Sequence, residues 1–243
     1  MIPPELRVAE DYEAMSREAA GIVADRLMRE PSSVLLLPTG DTPLGMYRYL
    51  REFHGMGLSF SRAELFNLDE YIGLSPEHPS SYRMYMQREL YGGVDADPRR
   101  IHLPDGGSED PQAESERYEE GIRAAGGVDL CVLGIGRNGH IGFNEPGTPF
   151  DARTRPVRLD DSTRRANARH FDGEAPERAI TAGLGTILAA REVLMLASGE
   201  SKAEAVSAAL NGEVTHDVPA SALRKHPRFT LLADRAAAGR VYA

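Results

Sequence analysis

The feature that most constrains this chain is the apolar run Val34-Leu35-Leu36-Leu37, which ends abruptly at Pro38-Thr39-Gly40-Asp41-Thr42-Pro43. The run is too short for a buried helix and has no polar face, so it reads as a strand covered on both sides. On one side of it, Met15, Ala19, Ile22, Val23 and Leu27 recur at helical spacing between Asp11 and Arg29, and Pro31 stops the pattern. On the other side, Pro43 occupies a position favoured at a helix start, and Leu44, Tyr47 and Leu50 mark an apolar face. Helix, buried strand, polar turn and helix in succession predict a layered α/β sheet.

The same alternation continues along the chain. Strands are expected at 65–68, 128–135, 192–197 and 229–233, and helices at 81–90, 114–125 and 201–210. Residues 136–176 read as loop-rich, with Gly142, Pro146, Gly147 and Pro149 as breakers. No repeat, linker or shift in composition divides the chain, so residues 1–243 are read as one domain with a mostly parallel, helix-covered sheet. Ligands of such sheets bind beyond the carboxyl ends of the strands. That rule selects 38–43, 69–82, 134–147 and 198–202.

Composition narrows the ligand. Lys and Arg total 28 against 37 Asp and Glu, a net charge of −9. This argues against a nucleic-acid footprint and against attraction to an anionic membrane. An anionic ligand would have to be held by a few local cations. Cys131, the single cysteine, cannot form an internal disulfide, and the amino-terminal residues lack the pattern of a signal peptide. The expectation is a cytoplasmic protein.

Each selected stretch has a bland and a chemical reading. Gly134-Ile-Gly136-Arg-Asn-Gly139 matches a dinucleotide-binding pattern, but the breakers that follow oppose the helix such a site needs. His140 in this loop, with Asn138 and Glu145 nearby, is either a surface histidine or an imidazole oriented by a carboxylate for proton transfer. Asp69-Glu70-Tyr71 is either a solvated acidic turn or holds a general base whose pKa is raised by burial. Thr39, Gly40, Asp41 and Thr42 form a plain strand–helix turn capped by Thr42, or a phosphate cradle. Lys202 sits at a helix start, where a cation is mildly unfavourable unless an anion binds there. Neither a His-Glu-x-x-His motif nor a Cys/His cluster suggests a metal.

Taken together the motifs carry a resemblance. Leu-Pro-Thr-Gly-Asp-Thr-Pro at 37–43, Phe-Asn-Leu-Asp-Glu-Tyr at 66–71 and Gly-Arg-Asn-Gly-His-Ile-Gly-Phe-Asn-Glu-Pro at 136–146 resemble glucosamine-6-phosphate deaminases. So do the segments at 162–169 and 179–186. The resemblance implies a Rossmann-like α/β/α sandwich that converts glucosamine 6-phosphate and water to fructose 6-phosphate and ammonia, without cofactor. It implies Asp69 as the base between C2 and C1, and His140 as the ring-opening group, with Asn138 and Glu145 beside it. It also implies Thr39, Gly40, Asp41, Thr42, Arg169 and Lys202 as phosphate ligands, and leaves homo-oligomerisation open. Arg155 matches a basic position of the allosteric members, but Val157 stands where they carry lysine, and the chain ends early at Ala243. Hyperbolic kinetics are therefore expected. The alternatives are a 6-phosphogluconolactonase-like hydrolase and a non-catalytic sugar-phosphate sensor.

Overall fold

A computed structural model describes residues 4–168, 171 and 175–241. Its main sheet has the strands β1 (Glu5–Ala9), β2 (Val34–Leu37), β3 (Glu64–Asn67), β5 (Ile101–His102), β6 (Leu130–Gly134), β9 (Glu192–Ala197) and β10 (Phe229–Asp234). They lie in the order β1-β10-β9-β6-β2-β3-β5, and every pairing is parallel.

The two faces of the sheet are sorted by alternation along each strand. Val34 and Leu36 pack with Phe66, Cys131, Leu133 and Met195 on one face. Leu35 and Leu37 pack with Leu65, Leu130, Val132 and Leu194 on the other. The first face is covered by α4 (Pro111–Ala124), α6 (Leu184–Leu188), α7 (Ala203–Asn211) and α8 (Arg235–Ala238). The second is covered by α1 (Tyr12–Arg29), α2 (Leu44–Gly55) and α3 (Tyr82–Glu89). The α/β/α expectation holds, and the apolar run of β2 is buried throughout.

Local signals set several boundaries. Asp11 caps α1, its carboxylate accepting the Ala14 amide at 2.8 Å, and Ser81 caps α3 through the Met84 amide at 3.1 Å. Thr42 does not cap α2: Pro43 holds that position, without a side-chain bond. Edge strand β1 carried no strong apolar pattern and escaped the sequence reading.

The larger departure is a second, antiparallel sheet of β4 (Asp69–Tyr71), β8 (Arg178–Thr181) and β7 (Arg155–Arg158), in the order β4-β8-β7. Asp69-Glu70-Tyr71 is therefore a buried strand and not a solvated turn. β7 and α5 (Asp161–Asn167) occupy part of the stretch expected to be loop. Only Leu68 separates β3 from β4. Its amide donates to Leu37 O at 3.0 Å, and its carbonyl accepts the Ala182 amide at 2.7 Å.

Strands are added outward in opposite directions from β2 and β6, so the carboxyl ends of these neighbours form the switch-point crevice. Among the described residues, no helix is long and apolar enough to cross a membrane.

Candidate active site

The loop after β6 forms one wall of the crevice. Gly136 N donates to His140 O at 2.8 Å and Gly139 N to Gly136 O at 3.1 Å, closing a tight turn in place of a dinucleotide-binding helix. The glycines serve the histidine. A Cβ on Gly136 would lie 2.3 Å from His140 Cε1, so the imidazole occupies that space. Gly139 has φ +81° and abuts Val218, and its carbonyl accepts the Ala220 amide at 2.9 Å.

His140, Asn138 and Glu145 come together as the sequence suggested. His140 Nδ1 lies 3.4 Å from Glu145 Oε2, at ion-pair distance but without an aligned hydrogen bond. Asn138 binds both sides of this pair: its amide donates to Glu145 Oε2 at 2.8 Å, and its oxygen accepts the His140 amide at 3.2 Å. Thr163 of α5 donates to Glu145 Oε1 at 2.5 Å. Burial would raise the Glu145 pKa, but His140, Thr163 and Asn138 together pull it down to about 2.

Asp69 forms the floor. It is 5% exposed, and burial, with the neighbouring Glu70 charge second, pushes its pKa up to about 8. No hydrogen bond from a described residue offsets this rise. The carboxylate faces the histidine loop: a Cβ on Gly142 would sit 3.6 Å from Asp69 Oδ2 and 3.0 Å from Thr181 Oγ1. Thr181, paired with Asp69 across β4 and β8, accepts the Phe143 amide at 3.1 Å and so ties the loop to the second sheet. Glu70 has a different task. Its oxygens accept the amides of Tyr71, Tyr82 and Arg83 at 2.9, 3.0 and 2.9 Å, anchoring the start of α3.

Thr39–Thr42 follow the carboxyl end of β2, and Lys202 follows that of β9. Gly40 has φ +96°, and a Cβ there would meet only open space. Lys202 caps α7 and donates Nζ to Ile135 O at 2.7 Å. Burial and the nearby Arg137 lower its pKa, while Asp41 raises it, which places these charges in one neighbourhood. Arg169 lies outside the described residues.

Sequence reasoning passed over Arg137 and Thr163. The first was visible as a cation inside the glycine-rich loop, directly beside Asn138. The second had no local signal, because its partner Glu145 is reached only through the fold. Among the described residues, no group of His, Cys, Asp and Glu is arranged to hold a metal ion.

A doubly wound parallel sheet whose switch-point crevice gathers ionisable groups from the loop after β6, from β4 and from the start of α7 defines the class as a Rossmann-like α/β protein. Within that class, the chain belongs to the family described as glucosamine-6-phosphate isomerases/6-phosphogluconolactonase, which it matches over residues 9–231. It is 49% identical over 237 residues to a glucosamine-6-phosphate deaminase of Rhodopirellula baltica, covering 96% of this chain and 94% of that one. It is 48% identical over 230 residues to glucosamine-6-phosphate deaminase 1 of Bacillus subtilis, covering 93% and 95%. A solved monomeric glucosamine-6-phosphate deaminase superposes with a TM-score of 0.95 at 46% identity, over 97% of this chain and 99% of that one. A 6-phosphogluconolactonase from Leishmania guyanensis gives a TM-score of 0.78 at 23% identity, over the whole of both chains, and shares the fold.

Proposed function

We propose that this chain converts glucosamine 6-phosphate and water to fructose 6-phosphate and ammonia. The observation that carries the reading is the placement of Asp69, buried and poised near pH 8, against the same loop that presents His140. The likeness to glucosamine-6-phosphate deaminases, at nearly half of all positions, supports it.

The chemistry runs along the crevice. Lys202 and the 39–42 turn hold the phosphate, with Arg169 as a further ligand; this remote binding orients the sugar over the acid–base groups. His140 takes the proton of the anomeric hydroxyl and delivers one to the ring oxygen, opening the ring. Glu145, kept ionised by its hydrogen-bond donors, stabilises the imidazolium formed in between. Asp69, in its ionised form, removes the C2 proton, giving an enolamine, and returns that proton to C1. The resulting iminium at C2 adds water and expels ammonia. None of these steps calls for a metal or a redox cofactor.

In this reading residues 1–243 work as one domain, since the site draws on both sheets. The chain acts as a monomer, as its solved relative is described, and in the cytoplasm, where phosphorylated sugars are held. Incubation with glucosamine 6-phosphate should release ammonia and fructose 6-phosphate in equal amounts. Failure to do so, with hydrolysis of 6-phosphogluconolactone instead, would reassign the chain to the other branch of its family.

A further inference from the structure

The turn at 38–42 is held by tyrosines from three different helices. Tyr47 of α2 donates its phenol to the Pro38 carbonyl at 2.5 Å. Tyr85 of α3 donates to the Gly40 carbonyl at 2.6 Å. Tyr12, the first residue of α1, donates to the Asp41 carbonyl at 3.2 Å and accepts the Gly45 amide at 2.8 Å. All three helices lie on the same face of the main sheet.

The consequence follows from peptide geometry. In a trans peptide the N–H points opposite to the C=O, and the described chain contains no cis bond. Drawing the carbonyls of residues 38, 40 and 41 toward the phenols therefore turns the amides of residues 39, 41 and 42 the other way. Among the described residues, no acceptor takes the amide of Thr39 or of Thr42. Beside Gly40 there is open space, and Lys202 reaches the same neighbourhood. A turn that lacked these bonds could rotate its peptides and present carbonyl oxygens, which repel a phosphate.

We infer that Tyr12, Tyr47 and Tyr85 are positioning residues that fix the polarity of the phosphate turn, so that amides and not carbonyls face the anion. The inference rests on the assignment of this turn to phosphate and adds the groups that orient it. None of the phenols need touch the substrate.

Tyr85→Phe is the cleanest probe, since its phenol contacts only the Gly40 carbonyl among the hydrogen bonds of this turn. Tyr49→Phe is the control: it removes a phenol of α2 that bonds Glu13 and Arg17, away from the turn. The readouts are KM and kcat with glucosamine 6-phosphate, and the affinity for inorganic phosphate by calorimetry. Tyr85→Phe should raise KM and weaken phosphate binding by the same factor, roughly fivefold, with kcat and melting temperature close to wild type. Tyr49→Phe should change neither constant. Tyr47→Phe should show the same KM effect together with a lowered melting temperature, because its phenol is fully buried.

Unchanged phosphate affinity in Tyr85→Phe, or a loss in kcat at constant KM, overturns the inference. Wild-type protein that binds phosphate but leaves glucosamine 6-phosphate untouched would sink the enzymatic reading alone, and the phosphate titrations would still decide the role of the tyrosines. Wild-type protein that deaminates glucosamine 6-phosphate but binds no phosphate overturns the inference and leaves the enzymatic reading standing.

Discussion

Two carboxylates in this crevice, the buried Asp69 and the half-buried Glu145, are driven in opposite directions. Burial pushes on both, yet Asp69 rises to about 8 while Glu145 falls to about 2. Glu145 lies beside the His140 imidazole and accepts hydrogen bonds from Thr163 and Asn138, whereas Asp69 meets no donor among the described residues and faces the like charge of Glu70. At Glu145 the neighbouring imidazole and the donors outweigh partial burial, whereas at Asp69 nothing offsets full burial. One group is prepared to take up and return a proton, the other to remain charged beside an imidazole.

The most severe way to break this contrast is Asp69→Asn, which leaves the shape but cannot accept the C2 proton. Turnover should fall roughly 10²–10⁴-fold, while binding of the phosphorylated sugar, measured by calorimetry, persists. Stability should move the opposite way. Native Asp69 keeps its proton until about pH 8, whereas the unfolded carboxyl loses it near 3.8. Between those limits the native state holds more protons than the unfolded state, so the Asp69 contribution to stability falls as pH rises. The variant lacks this loss, so its advantage in denaturant midpoint over wild type should widen from pH 4 to pH 8.

Lys202→Ala tests the proposed phosphate contacts. Removal of one charge-assisted contact costs about 1.5–3 kcal/mol, to be seen as a raised KM with kcat preserved. A lost kcat at unchanged KM would move Lys202 into the chemistry.

Thr163→Val sharpens the contrast by taking away one donor to Glu145. Its pKa should climb from about 2 toward the ordinary 4.5. A lowered carboxylate pKa stabilises the fold above the unfolded value and loses that benefit as pH falls. Acid unfolding of the variant should therefore begin at higher pH, with about 1 kcal/mol lost at neutrality.

The smallest expected effect is none. Arg155 already directs its guanidinium to Asn144 Oδ1 at 2.9 Å and to Thr148 Oγ1 at 3.4 Å, and Val157 supplies no second cation. An effector without differential affinity for two states shifts nothing. Saturation with glucosamine 6-phosphate should be hyperbolic, and N-acetylglucosamine 6-phosphate should act only as a weak competitor. Sigmoidal rates abolished by that compound would refute this.

The five inner strands of the main sheet were legible because their signals are local: apolar runs give the buried strands, and Asp11 and Ser81 mark helix starts, whereas the edge strands β1 and β5 carry no such run. The second sheet was not. Asp69-Glu70-Tyr71 has the composition of a turn, and β7 contains Pro156, so only pairing with β8 makes strands of them. The same limit applies within the site. His140 and Glu145 stand close in sequence and could be read together, whereas the bonds from Thr163 to Glu145 and from Tyr85 to Gly40 join segments that meet only in the folded chain.

Leu68, the single residue between β3 and β4, is bonded to Leu37 on one side and to Ala182 on the other. Successive side chains of an extended segment point to opposite sides. An inserted or deleted residue at this junction would turn the Asp69 carboxylate away from the crevice while every residue needed for the chemistry was still present. Length here is therefore under tighter constraint than identity. Leu68 could be exchanged for another apolar residue, whereas a one-residue change in spacing would be equivalent to losing the base.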